Sequence, residues 1–265
     1  MKRILCCWWL AAAVCSAAAE TPSIIIKSRQ YEGGEEALSK VNSVHLAGTI
    51  TTEIVGDAGS KRVGQIDIVF QRPMQECITT IEPDAIVRKG LDDYNGWQLE
   101  QDRGPHDPAK FDSKLPQSLT ILGPADVRLL RADTWENLYY YRDITEFGGS
   151  VQDLGPVDMD GVHCERVRLV HSATIGYDRY IELSTGRVVC TVTSAGAQMR
   201  ESGSQFVDGV RFAQSVTINE QSGGKSQKTV LEFKTVTLNE TFPESLFETP
   251  LPALPIDPPL RTKAP

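Results

Sequence analysis

The sequence predicts a mainly β protein of the α+β class, with one curled antiparallel sheet that forms an incomplete barrel and short helices that act as a lid. Three observations lead to this fold class. Apolar and polar residues alternate with period two over most of the chain, and turns rich in Gly, Asp and Asn separate the alternating segments. Segments with helical spacing are few. Because strand twist accumulates across about a dozen strands, a sheet of this size curls.

Residues 1–19 have the pattern of a cleavable secretory signal. Lys2 and Arg3 form a short positive region, an apolar stretch follows, and small residues precede a cleavage site predicted after Ala19. Lipidation at Cys15 is the disfavoured alternative, because Val14 is bulkier than the residues that usually precede a lipidated cysteine. The leader therefore predicts an exported or periplasmic protein.

The mature chain begins with a short predicted helix at Ser23 to Gln30, which Gly33-Gly34 ends and which restarts briefly over 35–40. Period-two strands are predicted next. They span 44–54, 66–70, 77–81, 85–88 and 97–100. Asn95-Gly96 predicts a hairpin turn before the last of them.

The middle of the chain differs, because apolar residues from Leu115 to Leu138 recur nearer the helical period and Gly123-Pro124 divides them into two pieces. Strands then return as an antiparallel meander joined by short turns. They are predicted over 151–154, 162–170, 177–183, 188–193, 198–206, 210–218 and 229–238. The predicted organisation is one domain over 20–250, followed by a flexible Pro-rich tail over 251–265.

Charge and cysteine content exclude several function classes. The formal net charge is −8, and −10 without Lys2 and Arg3, and no basic run is present, which disfavours nucleic acid and anionic membrane surfaces. The cysteines beyond the leader are Cys77, Cys164 and Cys190. Their odd number and wide spacing favour buried free thiols, and one disulfide among them stays open as an alternative.

Catalytic and metal-binding motifs are absent from the sequence, so we predict no catalytic residue, no metal and no cofactor. The four histidines are His45, His106, His163 and His171, and they have no metal-ligand spacing. No nucleophile elbow, phosphate-binding loop or dinucleotide fingerprint occurs. The aromatic cluster of Trp135 and Tyr139-Tyr140-Tyr141 is predicted to belong to the core or to the wall of an apolar cavity.

Four sequence segments, in order along the chain, carry a family resemblance. They are the opening segment over 33–44, a hairpin over 180–188, the start of a strand over 208–212 and the closing segment over 238–250. Together they resemble the LolA-like superfamily of bacterial envelope proteins, which includes outer-membrane lipoprotein carriers, although Glu182 stands where that family normally has Asp. The resemblance covers roughly residues 23–250. It implies an antiparallel half-barrel with a helical lid, whose concave face holds acyl chains.

We therefore predict a non-enzymatic, monomeric periplasmic binding protein for a lipid or a lipoprotein acyl chain, similar to lipoprotein-sorting proteins, with envelope lipoproteins as candidate partners. The helices are too few to cover one face of the sheet, which leaves room for a hydrophobic ligand. The candidate groove residues are Leu46, Ile50, Ile66, Ile68, Phe70, Phe212, Val216, Leu231 and Phe233, and the candidate lid residues are Leu119, Leu122, Val127 and Leu130. The main alternative is an envelope interaction or sensor module whose groove is filled by its own side chains, and a hydrolase is the third hypothesis.

Overall fold

A computed structural model describes residues 22–102 and 117–251 of the 265-residue chain. The predicted signal over 1–19, its cleavage site, the lipidation alternative at Cys15 and the tail over 252–265 lie outside the described residues, as do His106 and Leu115.

Six strands follow one another from the centre of the sheet to one edge. They are β1 (Ser43–Ile54), β2 (Arg62–Gln71), β3 (Gln75–Ile81), β4 (Ala85–Asp92), β5 (Asn95–Asp102) and β6 (Gln117–Ile121). Each strand pairs antiparallel with the next. The register sets Leu46 opposite Ile68, and Ile68 opposite Ile78, so the period-two apolar residues of neighbouring strands share one face.

The second half of the chain returns from the far edge to the centre. Its strands in this sheet are β7 (Ser150–Met159), β8 (Val162–Val170), β9 (Gly176–Glu182), β10 (Val188–Thr193), β11 (Gln198–Ser202), β14 (Ser215–Ser222) and β15 (Lys225–Leu238). β15 pairs antiparallel with β1, which joins the two meanders. In the described part of the chain the sheet has thirteen strands, with β6 and β7 at opposite edges, and it does not close. The predicted fold class, an open antiparallel half-barrel with few short helices, is confirmed.

Three helices accompany the sheet in the described ranges: α1 (Ser23–Glu32), α2 (Gly34–Leu38) and α3 (Pro124–Leu138). α3 connects the two meanders and contacts strands β1 to β5. A Cβ at Gly96 would lie 2.9 Å from Cγ2 of Val127, so α3 reaches β5 this closely because that position is glycine. Pro124 fits the first helical turn, where its missing N–H costs nothing.

The helix predicted from Leu115 to Leu138 is present only in its second half, and the prediction for its first half is wrong. Residues 117–121 form β6, in which Leu119 pairs with Leu99 of β5. The backbone of this segment hydrogen-bonds to the open edge of β5, which outweighs the weak helical spacing between Leu119 and Leu122 at a strand–helix junction.

The predicted strands over 198–206 and 210–218 each break in two. Gly203 adopts φ 67°, which turns the chain out of the large sheet after β11. β12 (Gln205–Val207) and β13 (Val210–Phe212) then form a separate hairpin around Asp208-Gly209, and this hairpin packs against α1 and α2. The chain rejoins the large sheet at β14.

One predicted turn lies two residues earlier than expected. Asp92 pairs with Asn95, so the turn between β4 and β5 is made by Asp93 and Tyr94, and Asn95-Gly96 begins β5. Asp93 carries the positive φ of 51° that a tight hairpin requires, and Asp tolerates that conformation better than most residues.

The main hydrophobic core lies between the concave face of the sheet and the helices, and its buried residues run from Ile24 to Val236. In a small second cluster, Val69 and Cys77 occupy strand positions that point to the opposite face, and Phe247, which follows the last strand, packs against them. Cys77, Cys164 and Cys190 are buried free thiols.

Candidate functional site

The concave face of the sheet contains a cavity of about 320 Å³ whose floor is apolar. Its floor residues come from seven strands and are Leu46, Ile68, Phe70, Ile78, Val188, Met199, Val216, Ile218, Leu231 and Phe233. A smaller compartment of about 140 Å³ shares Leu46, Val216 and Phe233 with it and adds Val44 and Phe212. The two compartments therefore form one continuous site.

Part of the apolar floor is not covered by the protein itself. Leu46, Ile68 and Phe70 are buried beneath the helices. By contrast, Val216, Ile218, Leu231 and Phe233, which lie on β14 and β15, are only half-buried although they line the cavity. Apolar surface that is both concave and incompletely covered is the usual form of a site for an apolar ligand.

The roof of the cavity is polar and is formed by one face of α3. Asp133, Glu136 and Asn137 have the i, i+3, i+4 spacing of a single helix face and all line the cavity. Tyr177 donates a hydrogen bond to Asp133, and His171 Nε2 lies 2.7 Å from Glu136 Oε1.

The guanidinium of Arg179 links this roof to the sheet. It forms an ion pair with Glu136, and its Nη1 donates to the hydroxyl of Tyr141 over 2.6 Å. The roof is therefore held to β9 by charged hydrogen bonds, which are stronger than neutral ones.

Glu76 on β3 is the most deeply buried carboxyl group of the site. Its side chain lies on the concave face opposite Phe70, and the residue is 1 % exposed. Oε2 accepts a 2.8 Å hydrogen bond from Thr134 Oγ1 of α3, whereas Oε1 is buried and has no hydrogen-bond partner among the described residues. Burial, and secondarily the charge of Asp133, raises the pKa of Glu76 from 4.5 to about 8.

Asp133 has a smaller shift of the same sign. Burial raises its pKa from 3.8 to about 6, and the hydrogen bond from Tyr177 opposes that effect because it stabilises the ionised form. Two carboxyl groups in this one cavity thus retain their protons to a higher pH than ordinary carboxyl groups do.

A second charged cluster lies at the smaller compartment, where α1 meets the β12–β13 hairpin. Arg211 donates to Glu201 Oε2 over 2.9 Å and to Glu32 Oε2 over 3.4 Å. The Arg211 guanidinium also stacks 4.9 Å from the ring centre of Tyr31. Burial, and next the charge of Glu201, raises the pKa of Glu32 to about 7.

The structure brings most of the predicted groove residues together. Leu46, Ile68, Phe70, Phe212, Val216, Leu231 and Phe233 all line the cavity or its smaller compartment. Ile66 is buried in the main core, and Ile50 packs against that core, but neither of the two lines the cavity.

The predicted lid residues do not face the cavity. Val127 and Leu130 belong to α3 and are buried in the core between this helix and the sheet. Leu122 packs against that core, and Leu119 lies in β6. The sequence does not predict the polar roof, because polar residues spaced by three and four are also typical of an ordinary solvent-exposed helix face. Of the aromatic cluster, Tyr140 and Tyr141 line the smaller compartment, and Trp135 stacks on Tyr139.

Within residues 22–102 and 117–251, no group of three or more His, Cys, Asp or Glu side chains is arranged to hold a metal ion. In the same ranges, no helix combines the length and apolar character needed to cross a membrane.

Fold and site together define a class: an open antiparallel half-barrel whose concave apolar cavity is roofed by one helix. Comparison with solved structures identifies this architecture as the LolA-like fold. A LolA superfamily protein from Nitrosomonas europaea superposes with a TM-score of 0.54 at 11% identity, over 87% of this chain and 98% of its own. A DUF1329 family protein from Desulfovibrio piger superposes with a TM-score of 0.50 at 10% identity, over 85% and 96% respectively. No protein-family model and no curated protein sequence matches the chain.

Proposed function

We propose that this protein is a non-enzymatic periplasmic binding protein that holds a lipid or a lipoprotein acyl chain in its concave cavity. The observation that carries the proposal is the half-buried apolar floor on β14 and β15, which faces an open cavity of about 320 Å³. A cavity of this size lies at the lower end of the range for small-molecule sites.

The energetic reason for binding is removal of apolar surface from water. Each methylene group of a ligand that becomes buried contributes about 0.8 kcal/mol. The half-buried side chains of Val216, Ile218 and Leu231 would lose contact with water at the same time. Binding of an acyl chain along the floor is therefore favoured by burial of apolar surface on both the ligand and the protein.

Two further observations support the proposal. The fold is shared with a protein of the LolA superfamily. The sequence identity is 11%, so this similarity supports the fold alone. The leader predicted over residues 1–19 directs the chain to the compartment in which such proteins act. The ionised groups of the roof are largely engaged with one another, as in the pair of Arg179 and Glu136, which fits a binding role better than a catalytic one.

The experiment has two parts. Native mass spectrometry and solvent extraction of the purified mature protein should reveal a bound lipid. The lipid-free protein should then bind decanol, and the cavity-filling variant Val216→Trp should weaken that binding by tenfold or more, since loss of about 1.4 kcal/mol already gives tenfold.

Thr217→Trp is the matched control. Thr217 is the next residue of β14 and points to the opposite face, so the same added indole should leave decanol binding unchanged. Equal affinity in both variants would place the binding site elsewhere. If neither lipid nor decanol binds the wild-type protein, the interaction or sensor module with a filled groove becomes the better hypothesis.

A further inference from the structure

The cavity contains a buried carboxyl oxygen to which no group in the described part of the chain hydrogen-bonds. Oε1 of Glu76 has no hydrogen-bond partner among the described residues, and the carboxyl group to which it belongs lines the cavity. A buried polar atom without a partner costs about 1–3 kcal/mol, and native structures contain few of them. A ligand that donates a hydrogen bond to this oxygen would remove that cost.

The charges around the cavity favour a positively charged donor. Among the described residues, five carboxyl groups line its two compartments, those of Glu32, Glu76, Asp133, Glu136 and Glu201, against two guanidinium groups, those of Arg179 and Arg211. Arg179 pairs with Glu136, and Arg211 pairs with Glu32 and Glu201. Both guanidinium groups are therefore engaged, and within residues 22–102 and 117–251 neither Glu76 nor Asp133 forms an ion pair with Lys or Arg.

Besides His171, which lowers the pKa of Asp133, Lys89 is a cation whose charge acts on both carboxyl groups. It lies on β4 opposite Ile78, on the concave side of the sheet. Its charge lowers the pKa of both Glu76 and Asp133, but only as a minor contribution, and it forms no ion pair with either group among the described residues. Lys89 therefore does not neutralise Glu76 or Asp133 through an ion pair.

We propose that the cavity selects amphiphiles with a primary ammonium head, which binds at Glu76 and Asp133 while the apolar chain lies along the floor towards Leu231 and Phe233. This inference rests on the proposed function and specifies its ligand class. An ammonium group has three donors and no acceptor, which suits two neighbouring carboxyl groups better than a hydroxyl or a carboxylate head does. A carboxylate head would lie beside two acidic groups, with only the minor contribution of Lys89 in its favour, and is therefore disfavoured.

Binding of such a head is linked to proton release. In the empty protein Glu76 holds its proton up to about pH 8. An ammonium group placed beside it favours the ionised carboxylate and lowers its pKa, so a proton leaves as the ligand enters. The neutral alcohol of the same chain length has no such effect.

Isothermal titration at neutral pH can test the inference with three probes of equal chain length: decylammonium, decanol and decanoate. The lipid-free wild-type protein should bind decylammonium at least tenfold more tightly than decanoate, with decanol between them. Titration in buffers of different ionisation enthalpy should show proton release for decylammonium alone. Glu76→Gln should weaken decylammonium binding about tenfold, abolish the proton release and remove the preference for decylammonium over decanol.

Glu100→Gln is the matched control, because Glu100 is an exposed glutamate of β5 that does not line the cavity. It should change none of the three affinities. If the wild-type protein binds all three probes equally, or if Glu76→Gln keeps the preference for decylammonium, the head-group inference is wrong while the proposed function stands. If no probe binds, including decanol, the proposed function fails as well.

Discussion

Replacing Glu76 by Gln should stabilise the lipid-free protein by an amount that grows with pH. Below about pH 4.5 the carboxyl group is protonated in both folded and unfolded chains, so it has no differential effect. Between pH 4.5 and 8 the unfolded chain loses this proton while the folded chain keeps it, because burial raises the folded-state pKa to about 8. Stability therefore falls as pH rises through this window and levels off above it.

The size of the effect follows from the two pKa values. One pKa unit corresponds to 1.36 kcal/mol, so the penalty is about 3 kcal/mol at pH 7 and on the order of 5 kcal/mol above pH 8. Full conversion is justified because Glu76 is 1 % exposed. Glutamine has no charge to bury, and its carbonyl oxygen can still accept the hydrogen bond from Thr134.

The assay is urea denaturation followed by circular dichroism, repeated from about pH 4.5 to pH 9 for wild type, Glu76→Gln and Glu100→Gln. The difference in the free energy of unfolding between Glu76→Gln and wild type should rise steadily to a plateau, whereas Glu100→Gln should track wild type throughout. A constant offset from lost packing does not affect this slope. A difference that stays the same at every pH would show that Glu76 is ionised in the folded protein and would refute the reasoning.

Three further predictions concern processing, packing and motion. N-terminal sequencing of periplasmic protein should begin within a residue or two of Glu20, and a diacylated Cys15 found by intact mass would contradict this. Phe247→Ala should lower the free energy of unfolding, measured by urea denaturation, by about 3–5 kcal/mol because Phe247 is fully buried. Phe212→Ala should lower it by less and should weaken decanol binding. Equal losses of stability would mean that the smaller compartment is filled by the protein's own side chains. Hydrogen exchange should be faster in α3 than in β1 and β15 and should slow in α3 when decanol binds, and the absence of both effects would count against a carrier that releases its cargo.

The large sheet was predictable from the sequence because local patterning decides it. Val44, Leu46 and Ile50 alternate with polar residues, and a strand with one buried face requires that pattern wherever it pairs. Of the nine candidate groove residues chosen by period two, seven line the cavity or its smaller compartment, because that period sorts side chains onto one face.

The departures from prediction arise where a distant partner decides the local structure. Residues 117–121 become a strand because the edge of β5 is available to them, and no feature within those five residues shows this. Glu76 is buried because Thr134 of α3 folds over it, a contact between residues 58 positions apart. A glutamate at a strand position is usually exposed, so nothing in the residues around Glu76 predicts its burial.

The pairing of β1 with β15 has a consequence for how the chain folds. The seam between the two meanders is made by the first and last strands, and beside it Asn42 N–H donates to Asn239 Oδ1, 197 positions further along. Each meander has local contacts and can pair its own strands early, but its inner edge stays unpaired until the other half arrives. Contacts of such long range slow folding, because the loop entropy is lost before the contacts form. We therefore expect the seam between β1 and β15 to form late in folding, after β15 has been synthesised.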